Sequence, residues 1–304
     1  MSSLLRVARP QFLIASVALF TLGALWAVLL GVPLAVLRLL LGYLIVLPAH
    51  ISISYSNDYF DADADRFARP TLFSGGSGIL VKEPALRKPA RMVALALIAC
   101  SLVLALLFMF LYAYPLWFLG YVLASNLLGW YYAAPPLRLS YRGLGEMATA
   151  VSSGLLIPGM GYLAAGGSPD ARALLLAIPL IVYGLAFIVA VEIPDEEADR
   201  AGHKLTWVAR RGRNFGFAAI GWAVAIATAY FVGLAALGAP PRLVDFRLLS
   251  GLSLLPLGAG VWGLLAKPVE RFQALRLAYA VVFTLATFFI LTDGYLLRLV
   301  LAAP

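Results

Sequence analysis

The chain alternates long apolar runs with short polar connections. A helix that crosses a bilayer needs about 20 consecutive, mostly apolar residues. Nine runs approach or exceed that length, and they cover residues 11–31, 37–57, 91–113, 115–133, 147–166, 172–193, 214–237, 247–265 and 274–300. The pattern predicts an all-α, polytopic membrane protein whose nine transmembrane helices form one bundle, in a single domain over residues 1–304.

The composition excludes a soluble globular fold. Hydrophobic residues make up 62% of the chain and charged residues 12%, whereas a soluble domain is about 45–50% apolar and about 25% charged. Lipid must therefore solvate much of the surface. The single cysteine, Cys100, lies inside an apolar run, which excludes an internal disulfide and any cysteine-based metal site.

The net charge of +8 has two explanations. A basic surface can indicate a nucleic-acid partner, but membrane proteins concentrate Lys and Arg in their cytoplasmic loops. With the N-terminus in the cytoplasm, 18 of the 23 Lys and Arg residues fall on the cytoplasmic side. We therefore expect a cell-membrane protein with no nucleic-acid partner and with its C-terminus outside. The two longest loops, residues 58–90 and 194–213, would form a cytoplasmic cap that follows the second and sixth helices.

Nine of the 15 acidic residues lie in two short stretches, residues 58–65 and 192–199. The first stretch follows the second predicted helix. If that helix continues, helical spacing places three carboxylates on one face, those of Asp58, Asp61 and Asp65. Asp63 then points elsewhere.

In the second stretch, Asp195 and Asp199 are four residues apart and share a helical face. Like charges at this spacing repel each other, and keeping them at a membrane boundary adds a desolvation cost. A divalent cation relieves both, and Mg²⁺ commonly binds one or two carboxylates together with substrate phosphates. Two such clusters on one side of the membrane predict two Mg²⁺ ions bridging a diphosphate, rather than two solvated loop ends. The expected metal ligands are Asp58, Asp61, Asp65, Asp195 and Asp199.

Three segments resemble the signature motifs of the UbiA superfamily of intramembrane aromatic prenyltransferases. Residues 57–65 match the first motif, NDxxDxxxD, and residues 195–206 are similar to the second. Between them, residues 132–146 resemble the YxxPPxRLxxRGxGE loop of the family. The Arg9-Pro10 pair before the first helix also fits. The three motifs occur in the order and at the spacing of the family, and the resemblance covers most of the chain.

The resemblance implies nine transmembrane helices and a Mg²⁺-dependent transfer of an isoprenyl group from a polyprenyl diphosphate to an aromatic acceptor. By motif matching, the residues that serve the metals and the diphosphate are Asn57, Asp58, Asp61, Asp65, Asp195 and Asp199. The Asn-Asp-Tyr-Phe-Asp form of the first motif is closer to the 1,4-dihydroxy-2-naphthoate branch, which makes menaquinone. Branches that use 4-hydroxybenzoate, chlorophyllide, haem or glyceryl phosphate share the motifs and stay open.

A leaving diphosphate also needs cationic donors. The candidates are Arg9, Arg69, Lys82, Arg138, Arg142 and Lys204. Each of them has a second explanation as a residue that orients the protein in the membrane. Arg138 and Lys204 are the stronger candidates because they lie inside motifs.

Three further features each have two explanations. Tyr132 can orient the acceptor or shield a carbocation with its ring, or it can be a tyrosine of the membrane interface. His50 can face the site or be a packed core histidine. The segment from Ser74 to Gly78 can donate backbone N–H groups to an anion or be a flexible lid. The roles of Glu196 and Glu197 stay unassigned.

Two other classes of membrane protein carry acidic motifs. CDP-alcohol phosphotransferases need an Asp-Gly-x-x-Ala-Arg signature, which the chain lacks. A transporter or cation channel would place carboxylates near the middle of its helices, whereas here they cluster at helix ends. The sequence favours the prenyltransferase with catalytic residues Asp58, Asp61, Asp195, Asp199 and Tyr132.

Overall fold

The computed structural model describes residues 3–241, 243–268 and 270–302, and these residues form helices and turns without a strand. The main helices of the described residues are α1 Gln11–Leu29, α2 Val36–Asp61, α3 Arg87–Leu111, α4 Trp117–Ala133, α5 Gly145–Ala165, α6 Ala171–Glu192, α7 Arg213–Leu237, α8 Phe246–Ala266 and α9 Arg271–Ala302. The predicted all-α class is confirmed. The ends of the predicted domain lie outside the described residues, and its extent stays a prediction.

Eight helices in the described part of the chain are long and apolar enough to cross a membrane. The exception among the main helices is α4, which has 17 residues and is therefore about 26 Å long. The hydrocarbon core of a bilayer is about 30 Å thick. A multi-pass membrane protein is thus supported, while the count of nine crossings stays a prediction.

Two of the predicted spans are not regular α-helices. Helix α5 contains a π-helical stretch, Ser152–Leu156, just before Pro158. Proline has no N–H and cannot continue the helical hydrogen-bond ladder, so an irregular turn at this point is expected. Helix α8 consists of two pieces joined at Ser253.

Close backbone packing holds α1 against α5. Gly23 of α1 lies against the backbone of Pro158, and Gly161 of α5 lies against the backbone of Phe20. A Cβ atom at Gly23 would lie 1.8 Å from the carbonyl oxygen of Pro158. Small residues permit such approaches, through which membrane helices gain van der Waals contact. The two glycines therefore fix the distance between α1 and α5.

Among the described residues, apolar side chains fill two large interior clusters and a smaller third one, and they also cover the outer surface. One large cluster packs α6 against α1, α7, α8 and α9, and the other packs α2 against α1, α3, α4 and α5. On the outside, Phe110, Trp222 and Leu237 are 78%, 68% and 83% exposed. Exposed large apolar side chains in this number suit a lipid environment.

The segments that follow α2 and α6 fold into short helices and contact each other. These short helices include Ala64–Phe67, Ile79–Lys82, Glu196–Ala201 and Trp207–Arg211. Gly202 lies so close to Ala64 that a Cβ atom there would be 2.7 Å from the Ala64 Cβ. The two segments expected to form a cap therefore meet, while the cytoplasmic side of the cap stays a prediction.

We expect Gly23→Ala to lower the thermal stability of the purified protein. Alanine is the better helix former, but its Cβ would collide with the Pro158 backbone, and overpacking costs about 1–3 kcal/mol. The matched control is Gly258→Ala in α8, where a Cβ atom would meet open space. Thermal unfolding in detergent provides the measurement, and equal melting temperatures for the two variants would contradict the packing argument.

Candidate active site

A cavity of about 610 Å³ lies among α1, α2, α4, α5, α6 and α9. This volume is in the range of small-molecule sites. Six acidic side chains line it, those of Asp58, Asp61, Asp65, Glu192, Asp195 and Asp199. Among the described lining residues, only Arg9 and Lys204 are lysine or arginine. Acidic groups therefore outnumber basic groups in this cavity.

The first carboxylate cluster follows the predicted helical face. Helix α2 continues to Asp61, so Asp58 and Asp61 both lie in its last turn and are 4% and 5% exposed. Asp65 lies beyond the helix, in the 3₁₀ turn Ala64–Phe67, and still lines the cavity. Asp63 points to solvent, where it pairs with Arg66 at 2.8 Å and Arg87 at 3.3 Å.

The second cluster is bent by Pro194. Helix α6 ends at Glu192, and a 3₁₀ turn, Ile193–Asp195, leads into the short helix Glu196–Ala201. Asp195 and Asp199 both line the cavity. The prediction placed them on one helical face, whereas Asp195 lies in the 3₁₀ turn and Asp199 in the short helix that follows it. The bend is physically reasonable, because proline cannot donate to the preceding turn.

The two glutamates in the middle of the second cluster lie outside the cavity lining. Glu196 accepts a hydrogen bond from Arg200 at 2.9 Å, and Glu197 pairs with Arg213. Arg213 also approaches Glu196 at 3.5 Å. These two acids therefore anchor the short helix rather than face the cavity.

Lys204 connects the second connecting segment to the first carboxylate cluster. Its Nζ donates to Asp61 Oδ2 at 2.7 Å and lies 4.0 Å from Asp65 Oδ1. The Tyr141 hydroxyl donates to the other Asp61 oxygen at 2.9 Å. Burial alone would lower the pKa of Lys204, but the carboxylates around it, Asp61 first, outweigh burial and raise this pKa well above its usual value. Lys204 therefore stays cationic in the site.

Burial raises the pKa of Asp65 to about 7. Lys204 opposes this rise, while the charges of Asp61 and Asp58 add to it. A carboxyl group in this position is costly to ionise without a further cation nearby. The first cluster thus has the electrostatic character of a cation site.

The glycine-rich segment (residues 74–78) lies directly on the carboxylates of both clusters. The Ser74 hydroxyl donates to Asp195 Oδ1 at 3.2 Å, and Ser77 donates its backbone N–H and its hydroxyl to Asp58. Gly76 has a φ of +63°, and a Cβ atom there would lie 2.2 Å from Asp65 Oδ2. Only glycine combines that backbone conformation with such a close approach.

The predicted cationic residues divide into two groups. Arg9 and Lys204 line the cavity, together with Asn57, whereas four others are exposed and lie outside its lining, Arg69, Lys82, Arg138 and Arg142. Arg138 stacks on the ring of Tyr141 at 3.9 Å, and Arg142 donates to the carbonyl oxygen of Pro136. Arg138 thus touches the site only through Tyr141.

Arg9 is suited to bind an anion in the cavity. One of its guanidinium nitrogens is buried and has no hydrogen-bond partner among the described residues, and the same holds for Oδ1 of Asn57. Burial lowers the pKa of Arg9, and Asp58, Asp65 and Asp195 oppose this change. A guanidinium stays protonated in proteins, so Arg9 offers a free, charged donor.

The remaining lining is mostly apolar. Tyr132 and His50, both uncertain from the sequence, are lining residues. Large apolar residues cover much of the rest, among them Phe12, Leu19, Leu180, Phe187, Phe283 and Phe289. A long hydrocarbon therefore finds a water-poor surface beside the charged cluster.

The sequence did not predict four side chains that donate hydrogen bonds to the cavity aspartates, those of Ser74, Ser77, Tyr141 and Thr206. Thr206 donates to Asp199 at 3.3 Å, as Tyr141 does to Asp61. Both lie inside segments that match motifs, and this was the available signal. Ser74 and Ser77 carried no signal beyond the neighbouring glycines.

The donor set fits Mg²⁺. Five aspartates present hard oxygen atoms to one cavity, and hard cations prefer such ligands. In the described part of the chain, no three acidic, His or Cys side chains are arranged to hold a metal ion by themselves. Mg²⁺ needs no such cage, because it usually keeps waters and completes its shell with substrate phosphates.

Comparison with known proteins identifies proteins similar to this chain. A curated relative from Bacillus subtilis (strain 168), 1,4-dihydroxy-2-naphthoate octaprenyltransferase, is 24% identical over 77% of this chain and 74% of its own. A UbiA homologue from Archaeoglobus fulgidus, bound to DMAPP and Mg²⁺, superposes with a TM-score of 0.65 at 15% identity over 96% of this chain and 99% of its own.

A structure of digeranylgeranylglyceryl phosphate synthase has a TM-score of 0.66 at 18% identity over 96% of this chain and 97% of its own. These likenesses extend over nearly the whole fold. The pattern of the UbiA prenyltransferase family matches residues 16–274. Because that match covers most of the sequence, the chain belongs to the UbiA prenyltransferase family.

Proposed function

We propose that the protein transfers an isoprenyl group from a polyprenyl diphosphate to an aromatic acceptor in a Mg²⁺-dependent reaction. One observation supports the proposal most directly: both carboxylate clusters, with Lys204 and Arg9, line a single cavity whose other walls are mostly apolar. A diphosphate needs the charged end, and an isoprenoid tail needs the apolar walls.

The residues divide the work by their chemistry. The side chains that hold two Mg²⁺ ions are Asp58, Asp61, Asp65, Asp195 and Asp199. When bound, Mg²⁺ neutralises the charge that develops on the diphosphate as it leaves. Arg9 and Lys204 bind diphosphate oxygens, because they line the cavity and carry charged N–H donors. Asn57, which also lines the cavity, binds them through the N–H donors of its amide group. The remaining cationic candidates orient the protein in the membrane or support the loops in which they lie; they are Arg69, Lys82, Arg138 and Arg142.

In the reaction, the bond between the allylic carbon and the diphosphate oxygen breaks, and its electron pair leaves with the diphosphate. A ring carbon of the acceptor then attacks the allylic cation, and the ring loses a proton or carbon dioxide. Tyr132 lines the cavity, and the π face of an aromatic ring stabilises a nearby cation. The apolar walls exclude water, which would otherwise capture the cation.

We propose 1,4-dihydroxy-2-naphthoate as the type of acceptor. The Asn-Asp-Tyr-Phe-Asp motif and the Bacillus relative support this choice. 4-Hydroxybenzoate, chlorophyllide, haem and glyceryl phosphate are the alternatives. Purified protein is incubated with Mg²⁺, a prenyl diphosphate and each acceptor in turn, and mass spectrometry identifies the product. A product from another acceptor would replace the naphthoate, and no product from any of them would contradict the proposed function.

We expect Asp58→Ala and Asp195→Ala each to lower kcat by about 100-fold or more, because each removes a carboxylate from the proposed metal and diphosphate site. Asp63→Ala is the matched control, since Asp63 belongs to the same stretch but its side chain is 75% exposed. Product formation at saturating Mg²⁺ gives the measurement. Comparable losses in all three variants would argue against a specific role for the two cavity aspartates.

Lys204→Ala should raise KM for the prenyl diphosphate or lower kcat by about 10- to 100-fold, the usual effect of losing a charge-assisted hydrogen bond. Arg142→Ala serves as the control, because Arg142 is exposed and lies outside the cavity lining. Steady-state kinetics with varied prenyl diphosphate distinguishes an effect on KM from an effect on kcat. Equal effects would mean that position inside the cavity does not decide which cation binds the diphosphate.

We also propose that the N-terminus and the two segments of the cap face the cytoplasm. In a Cys100→Ser background, Asp63→Cys should react with a membrane-impermeant maleimide only after permeabilisation of the cells. Ser168→Cys, in the exposed connection before α6, should react in intact cells. The pair also tests whether α4 crosses the membrane, because Ser168→Cys would lie on the same side as Asp63→Cys if it did not.

A further inference from the structure

Glu192, the last residue of α6, has no role in the proposed chemistry so far. It lines the cavity and is 6% exposed. Neither of its carboxylate oxygens has a hydrogen-bond partner among the described N–H and O–H donors. A buried polar group without a partner is uncommon in native structures and calls for a ligand, a water or an ion.

The surroundings of Glu192 are acidic and offer it no N–H donor among the described residues. Its carboxyl group faces that of Glu146, which is fully buried. One oxygen of Glu146 accepts the backbone N–H of Trp207, and its other oxygen has no partner among the described donors. The carboxyl groups of Glu192 and Glu146 form a hydrogen bond with each other, so the two share one proton. No N–H or O–H donor of the other described residues reaches Glu192, and one of its oxygens therefore keeps free acceptor capacity. Glu192 therefore presents a buried hydrogen-bond acceptor to the cavity.

The position of Glu192 relative to the reacting atoms is also specific. It precedes Asp195 by three residues, about 5 Å along the helix axis, on the side toward the membrane interior. The allylic carbon is bonded directly to the diphosphate, so it lies just inside the aspartate clusters. Tyr132, the aromatic candidate for contact with the acceptor, lies close enough to Glu192 to interact with it electrostatically. Glu192 is thus within reach of a ring that attacks that carbon.

The negative charge around Glu192, which its hydrogen-bonded pair with Glu146 carries, excludes some occupants. Its neighbours Asp199 and Glu146 are also acidic, so an anion such as a phosphate or a carboxylate is repelled at this point. The isoprenoid tail has no donor to offer. A neutral hydroxyl on an aromatic ring has both the hydrogen and the size, and it satisfies the buried acceptor without adding negative charge.

We propose that Glu192 recognises the acceptor by accepting a hydrogen bond from a phenolic hydroxyl group. The inference rests on the proposed function and deepens it by naming the atom of the acceptor that is read. The hydrogen bond turns the hydroxyl of the acceptor toward Glu192 and any carboxylate away from it. It also increases the electron density of the ring, which favours attack on a cation. Glu146 positions Glu192 by packing against it.

The test uses purified full-length protein and the variants Glu192→Gln and Glu192→Met. Glutamine keeps the shape and an acceptor oxygen but replaces the carboxyl group with an amide that cannot ionise, and methionine keeps the approximate size but removes the acceptor. The probes are 1,4-dihydroxy-2-naphthoate and 1,4-dimethoxy-2-naphthoate, which differ in the two hydroxyl hydrogens. Their binding is measured by fluorescence titration without Mg²⁺ and without prenyl diphosphate.

The wild-type protein should bind the dihydroxy probe at least about tenfold more tightly than the dimethoxy probe, as expected for a hydrogen bond to a charged group. Glu192→Met should lose this preference, and Glu192→Gln should retain part of it. In turnover, KM for the acceptor should rise in the same order, with KM for the prenyl diphosphate unchanged. Glu197→Gln, whose side chain is 62% exposed and outside the cavity lining, should match the wild type.

The outcomes separate the inference from the function on which it rests. Product formation by the wild type, together with an unchanged preference between the probes in Glu192→Met, would overturn the inference and leave the proposed function intact. A higher Mg²⁺ requirement in Glu192→Gln with unchanged acceptor binding would assign the carboxylate to the metal and also overturn it. No product from the wild type with any acceptor would overturn both.

Discussion

The site depends on mutual repulsion among carboxylates that are held away from water. Six acidic side chains line one cavity with two cationic ones, and low dielectric strengthens every unbalanced charge. Lys204 offsets part of this repulsion by its contact with Asp61. The close packing of the helices, through contacts such as Gly23 against Pro158, holds the carboxylates in place despite the repulsion. The fold therefore maintains a site whose electrostatic balance is completed by cations.

Much of the fold was predictable because the bilayer imposes a simple rule on length and polarity. The apolar runs located the helices to within a few residues, and the first run of aspartates extended α2 as its spacing indicated. Local chemistry caused the departures. Pro194 turns the chain after α6, and Ser253 joins the two pieces of α8. Hydropathy averages over such single residues and does not detect them.

The candidate site was predictable where its residues lie at helix ends, and less so where they lie in loops. Helical geometry identified Asp58 and Asp61 from spacing alone. By contrast, Lys204 and Lys82 both lie in polar segments, yet only Lys204 lines the cavity. Which of two such side chains turns inward depends on contacts between distant segments, like that of Gly202 with Ala64. Those contacts leave no periodic trace in the sequence.

The glycine-rich segment (residues 74–78) orients the carboxylates beneath it. Ser77 donates to both oxygens of Asp58, and a carboxylate has about four lone-pair sites, so lone pairs remain for a cation. Hydrogen bonds of this kind fix the direction in which a ligating carboxylate points. A substitution in this loop therefore changes the affinity of the site for a cation without removing any of its ligands.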